Sequence, residues 1–149
     1  MLDTLTDSWE VDEDFRPRPV GYGASVQLPE GVLCIGGSDA GGWHDDLSLL
    51  SMGDEGPVLA EDIMPRLPYA LANVSAVLSG GVLYVSGGRP DGGAFALLAL
   101  DLEDKPAGGR QLSGGPGESG HCMHVAAQAG RVIDTCGLSS HHLCDTGTA

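Results

Sequence analysis

Residues 31–37 read Gly-Val-Leu-Cys-Ile-Gly-Gly, and residues 81–88 read Gly-Val-Leu-Tyr-Val-Ser-Gly-Gly. The copy extends past the glycine pair. Gly36-Gly37-Ser38-Asp39-Ala40-Gly41-Gly42 is echoed by Gly87-Gly88-Arg89-Pro90-Asp91-Gly92-Gly93, and a short apolar stretch follows each, Leu47–Met52 and Ala94–Leu102. A fixed period of about 50 residues is the mark of a solenoid or a propeller, whose units bury their apolar faces only against neighbours.

Outward from this pair the same order of strands reads out twice. In the first unit Phe15-Arg16-Pro17-Arg18-Pro19-Val20 is an extended approach, because proline disfavours helix in the residue before it. Gly21–Leu28 reads as a strand, Pro29-Glu30-Gly31 as a turn and Val32–Ile35 as a second strand. A loop over 36–42, a third strand at Leu47–Met52 and an outermost one at Val58–Ile63 complete the unit. The second unit has a lead-in at Met64–Pro68, strands at Tyr69–Leu78 and Val82–Ser86, a loop over 87–93, a strand at Ala94–Leu102 and the start of a fourth at Gln111-Leu112. A third begins at His121–Gln128, turns at Ala129-Gly130 and continues as Arg131-Val132-Ile133, with Gly130 standing 50 residues after Gly80. There the pattern breaks: Asp134-Thr135-Cys136-Gly137-Leu138 replaces the expected glycine pair. No stretch shows sustained helical periodicity with caps, so the expected fold is all-β, with four short antiparallel strands per unit, the pattern of a propeller blade. The divisions are an acidic, loosely held lead-in over 1–14, units over 15–63 and 64–113, an incomplete unit over 114–133 and an irregular or out-of-frame tail over 134–149.

Composition narrows the function. Among 149 residues there are 24 glycines, which fits many tight turns between short strands, and only 5% aromatic residues, which is thin for a core. The formal charge is −14, with 6 of the 21 acids in the first 14 residues, where there is no base. Such a balance argues against nucleic acid and anionic membrane surfaces as partners. The first residues have neither a basic nor an apolar segment of a signal peptide, so the chain as written is expected to stay where it is made, whereas a longer gene product with earlier repeats leaves the compartment open. Cys34, Cys122, Cys136 and Cys144 do not form a spaced disulfide framework. His121, Cys122, His124, Cys136, His141, His142 and Cys144 crowd the C-terminal end, but without paired Cys-x-x-Cys spacing, and no metal is expected. Asn73-Val74-Ser75 matches the glycosylation pattern, which inside an expected strand reads as chance.

The apolar-x-apolar-Gly-Gly pattern, with Trp or Pro lead-ins, resembles kelch repeats. More narrowly, Arg18–Val26 followed by Gly31–Gly37, and Leu67–Ser75 followed by Gly81–Gly88, resemble the cyclically permuted mutarotase family, which is related to N-acetylneuraminate epimerase. The resemblance covers roughly residues 9–133, and Trp9 fits the family's tryptophan before a Pro-rich lead-in. The places near Leu59 and Leu112 lack that tryptophan, and the third unit lacks its Gly-Gly. The resemblance implies a partial kelch-type β-propeller, about two and a half blades of an expected six, read as a fragment. Open sheet edges and uncovered blade faces at each end would then favour self-association.

The resemblance also implies a ligand site where the loops after Gly-Gly and the entries to the innermost strands converge. The post-glycine loops carry Ser38, Asp39, Trp43, His44 and Asp45, then Arg89, Pro90 and Asp91; the strand entries carry Arg18 and Tyr22, then Arg66, Tyr69 and Asn73. Mutarotation needs a base for the anomeric hydroxyl proton and an acid for the ring oxygen, and groups poised near neutral pH serve best. His44 is the acid/base candidate, against a solvated loop histidine. Arg89 is the candidate clamp for a sugar carboxylate, against a surface arginine pairing with Asp91. Tyr22, Asn73 and Arg18 are the substrate-binding candidates, with blade-to-blade hydrogen bonding as the competing role for Tyr22 and Asn73. The expected function is carbohydrate mutarotase or epimerase activity on a sialic-acid-like sugar, with no metal or organic cofactor and with further blades needed for activity. A non-enzymatic kelch module holding a protein or glycan is the alternative. A sialidase-like hydrolase ranks last, since no Ser-x-Asp-x-Gly-x-x-Trp box occurs.

Overall fold

The computed structural model describes residues 2–3, 5–9, 20–61, 64–88, 96–103, 110–114, 122–128, 131–136 and 140–145. Among these residues every regular element is a strand, so the fold is all-β. β1 (Leu2–Asp3) and β2 (Ser8–Trp9) form a small antiparallel pair in the acidic lead-in, and Trp9 is exposed. The first large sheet contains β3 (Ala24–Leu28), β4 (Gly31–Ile35), β7 (Leu47–Gly53) and β8 (Gly56–Ala60), in the order β3-β4-β7-β8. Its central loop folds on itself as a two-residue ladder, β5 (Ser38–Asp39) against β6 (Gly42–Trp43). The second large sheet is β9 (Ala72–Ser79), β10 (Val82–Gly88), β11 (Ala96–Asp101) and β12 (Arg110–Gly114), again in sequence order. A three-stranded sheet follows, with β13 (Cys122–Gln128), β14 (Arg131–Cys136) and β15 (Ser140–Asp145). Among the described residues every ladder is antiparallel, and no sheet closes on itself.

The expected strands at 21–28 and 69–78 begin later than their apolar pattern suggests. Tyr22 is left-handed, at φ 58°, and holds off β3 until Ala24. Asn73 is left-handed too, at φ 52°, and lies where β9 has one more residue than β10, since Ser75 pairs with Ser86 but Ala72 with Gly88. A left-handed residue in such a bulge bends the strand and raises its twist. In the third unit pairing continues beyond residue 133, where the glycine repeat fails: β14 runs to Cys136, and Ile133 pairs with Leu143 of β15. Ladder pairing is a backbone property, so it does not need the glycine pair that marks the repeat.

Alternation explains which strands are buried on one face and which on both. In β3 the alternating Ala-Ser-Val-Gln-Leu puts Ser25 and Gln27 in solvent and Val26 and Leu28 toward the interior. In β10 the unbroken run Val82–Val85 serves two faces. Leu83 and Val85 join Leu98 and Leu100 in a cluster with Leu28, Leu33, Ile35 and Leu47 of the first sheet. Tyr84, Leu97 and Ala99 form a second cluster on the opposite face. The first cluster is therefore the shared core of two successive units, and each fully buried Leu in it contributes about 2 kcal/mol relative to exposure. Leu67 and Leu71, from the connection between the sheets, are buried in the same cluster. β3 packs beside β9, and β9 beside β13, so the first strands of the three units succeed one another. The β9–β10 turn is Gly80-Gly81, with φ 60° and 79°, and two positive φ values in a two-residue hairpin loop match the strand twist.

Candidate functional site

The site is assembled at the seam between the first two sheets. After β4, the chain turns through Gly36 and Gly37, and the Gly37 N–H donates to the Leu71 carbonyl at 2.8 Å. The His44 N–H donates to the Gly37 carbonyl at 2.9 Å, and the Leu71 N–H donates to the His44 carbonyl at 3.0 Å. The Leu67 N–H reaches the Asp45 carbonyl at 2.8 Å, and the Val74 N–H reaches the Tyr22 carbonyl at 3.1 Å. The post-glycine loop of the first unit is thereby joined to the strand entry of the second. Gly21 and Ser38 exchange backbone hydrogen bonds at 2.9 and 2.8 Å, which ties the entry of β3 to the same loop.

The β5–β6 ladder places the polar side chains. Asp39 Oδ1 accepts the N–H groups of Gly41 and Gly42 at 2.6 and 3.1 Å and so closes the turn between β5 and β6. Its other oxygen lies 3.0 Å from His44 Nε2. On the far side of the ring, His44 Nδ1 is 4.0 Å from Asp46 Oδ1. The Nε2 contact has hydrogen-bonding length, but the ring N–H is not aligned to complete a hydrogen bond, and Nε2 is shut off from solvent. The His44–Asp39 attraction is thus one of proximity between ring and carboxylate. The Gly41 N–H, then the His44 ring and the Gly42 N–H, hold the Asp39 carboxyl below its ordinary value of 3.8, against an opposing push from partial burial. Beside this group Arg66 Nη1 pairs with Asp45 Oδ1 at 2.9 Å on the surface.

Among the expected site residues, Tyr22, His44 and Asn73 come together at this seam. Tyr22 and Asn73 are exposed there, whereas the His44 side chain is enclosed, at 13% exposure. Arg18 and Arg89 lie outside the described residues. His44 is neither a solvated loop histidine nor an outward-facing one, because its ring is held between Asp39 and Asp46. The carboxylate of Asp39 was the group easiest to overlook. Its signal is the Asp-Ala-Gly-Gly sequence, since Asp commonly bonds the backbone two residues on and glycine lets the turn follow. Among the described residues, no group of three or more His, Cys, Asp or Glu side chains is arranged to hold a metal ion, and Asp39, His44 and Asp46 flank one another without converging on a common point. No helix among the described residues is long and apolar enough to cross a membrane. No protein-family model matches the chain, and no curated protein matches it.

Proposed function

We propose that the sheets are blades of a kelch-type β-propeller, about two and a half of six, and that the seam end forms part of a sugar mutarotase or epimerase site for a sialic-acid-like sugar. One observation carries the reading: the Gly37–His44–Leu71 hydrogen bonds, with the Gly21–Ser38 pair, bring a post-glycine loop and the entries of β3 and β9 together at the seam. Sheets whose strands run in sequence order, with β3, β9 and β13 side by side, support blades around an axis.

In this reading Asp39, kept ionised, and His44 beside it form the proton-handling pair that serves the anomeric hydroxyl and ring oxygen. Tyr22 and Asn73 contact the sugar, while Arg89 and Arg18 meet its carboxylate. Blades beyond those described here complete the site. The gene on both sides of this sequence, read in every frame, should continue with further Gly-Gly units. Exchange between the anomers of N-acetylneuraminate, followed by NMR, should accelerate with the completed ring; an unchanged rate would remove the enzymatic reading. A non-enzymatic glycan- or protein-binding module is the second reading. It is favoured by the enclosed Nε2 of His44 beside the exposed Tyr22 and Asn73, a surface better disposed to contact than to proton transfer.

A further inference from the structure

We infer that Trp43, with Tyr22 and Asn73, forms a stacking subsite for the ring of a pyranose sugar. The inference builds on the sugar-site reading above and names a residue to which that reading gives no role. A closed circuit of contacts defines the place. Gly21 bridges to Ser38, Ser38 pairs with Trp43 across the β5–β6 ladder, and the edge of the Trp43 ring faces Gly88. Gly88 pairs with Ala72, next to Asn73, and the Val74 N–H returns to the Tyr22 carbonyl. The circuit spans both units at the end of the seam.

Within it the described chain exposes the groups a pyranose needs. Trp43 is 37% exposed and Tyr22 71% exposed, in a chain with few aromatic residues. The outer edge of the Trp43 indole faces Gly88, where a Cβ would stand 3.8 Å from Cη2, so the ring lies alongside the end of β10 without a side chain from Gly88 against it. A partly exposed indole offers broad, amphipathic contact area with few rotatable bonds to the C–H face of a sugar. Asn73 carries a carboxamide that can both donate to and accept from vicinal hydroxyls. Its left-handed backbone, at φ 52°, places that side chain at the strand entry. The nearby charged groups already have partners, Asp39 with two backbone N–H groups and Asp45 with Arg66. The subsite therefore reads the neutral ring and its hydroxyls.

The test uses the full chain carrying Trp9→Phe, which leaves Trp43 as the only tryptophan. Methyl glycosides of glucose and of N-acetylneuraminate are the probes, because their locked anomeric centres bind without turning over. At least one should change the Trp43 emission saturably, with a dissociation constant of about 1 mM or weaker. In saturation-transfer NMR, Trp43→Ala should weaken binding between about threefold and tenfold, with Trp43→Phe retaining most of it. No saturable emission change with either probe, or equal binding by Trp43→Ala in a variant with native-like circular dichroism, would overturn the subsite. Binding at Trp43 without anomer exchange by the completed ring would uphold the subsite and sink the mutarotase. Exchange without a Trp43 response would do the reverse.

Discussion

Tyr22 and Asn73 stand at the entries to β3 and β9 in the same left-handed backbone state, at φ 58° and 52°, and the Tyr22 carbonyl accepts the N–H of Val74, the residue after Asn73. The repeat thus carries a backbone conformation as well as an apolar pattern. The two positions differ in what that conformation costs. Asparagine visits the left-handed region routinely, whereas a bulky side chain there is strained by about 1–2 kcal/mol. Tyr22→Gly should therefore raise stability by about 0.5–1 kcal/mol, after allowing for the extra freedom glycine has in the unfolded chain. Asn73→Gly should change it by only a few tenths of that scale. Urea midpoints of the two variants check the difference, and equal shifts would show that the strain at Tyr22 is relieved elsewhere.

The glycine pairs look alike in sequence and differ in use. Gly37 has φ 104°, and a Cβ there would come within 2.6 Å of the Gly21 carbonyl and 2.7 Å of Val20 Cγ1. Gly88 lies within β10, where a Cβ would meet only ordinary contacts at 3.6 Å and beyond. Gly37→Ala should cost more than about 2 kcal/mol, since it strains the backbone and separates the loop from the entry of β3. Gly88→Ala should cost less than about 1 kcal/mol. Thermal denaturation of both variants distinguishes them, and a mild Gly37→Ala would mean that the Gly21–Ser38 bridge is dispensable.

These two pairs show where the sequence could be read and where it could not. Apolar alternation and turn glycines located the strands, because pairing and burial follow local periodicity. The glycine pattern also overstated the likeness of the units, since Gly36 and Gly37 leave the strand and Gly87 and Gly88 stay in it. The same pattern stopped before β15, which is held by backbone pairing to β14. At the site, the placement of Tyr22 and Asn73 at matching entries could be read from their spacing against the repeat. The enclosure of His44 could not, because it depends on a two-residue ladder folding Asp39 back over the ring, and on Leu71 approaching from the next unit. Contacts between units have no periodicity along the chain.

Asp39 gives the seam a pH dependence of known sign. Its carboxyl is held below 3.8 chiefly by the Gly41 N–H, with His44 and Gly42 adding to the effect. A lowered native pKa means that the ionised form favours the folded state. The contribution is complete above the unfolded-chain value and disappears as pH falls from there through the native one. Asp39→Asn keeps an oxygen for the Gly41 N–H but loses the charge beside His44. The variant should be less stable than the native chain at pH 7, with the gap closing below about pH 4. Urea midpoints across pH 2–7 measure this, and a gap that stays constant through the acid range would show that Asp39 acts only as a neutral turn acceptor.

Leu71 links the core to the seam. Its side chain is fully buried in the cluster shared by the first two sheets, and its N–H and carbonyl bond His44 and Gly37. Leu71→Ala leaves those backbone bonds possible but opens a cavity between units, and such truncations cost about 2–5 kcal/mol. Met52, exposed at 65% near the end of β7, provides the contrast: Met52→Ala should stay within about 0.5 kcal/mol. Because Leu33 and Leu83 lie in the one cluster, the two sheets should lose structure together in a single transition, in the native chain and in Leu71→Ala alike. Hydrogen exchange of β4 and β10 amides reads this directly. If Leu71→Ala unprotected β10 while leaving β4 intact, the sheets would be independent units in contact, and the seam would be too weak to hold Tyr22, His44 and Asn73 in one site.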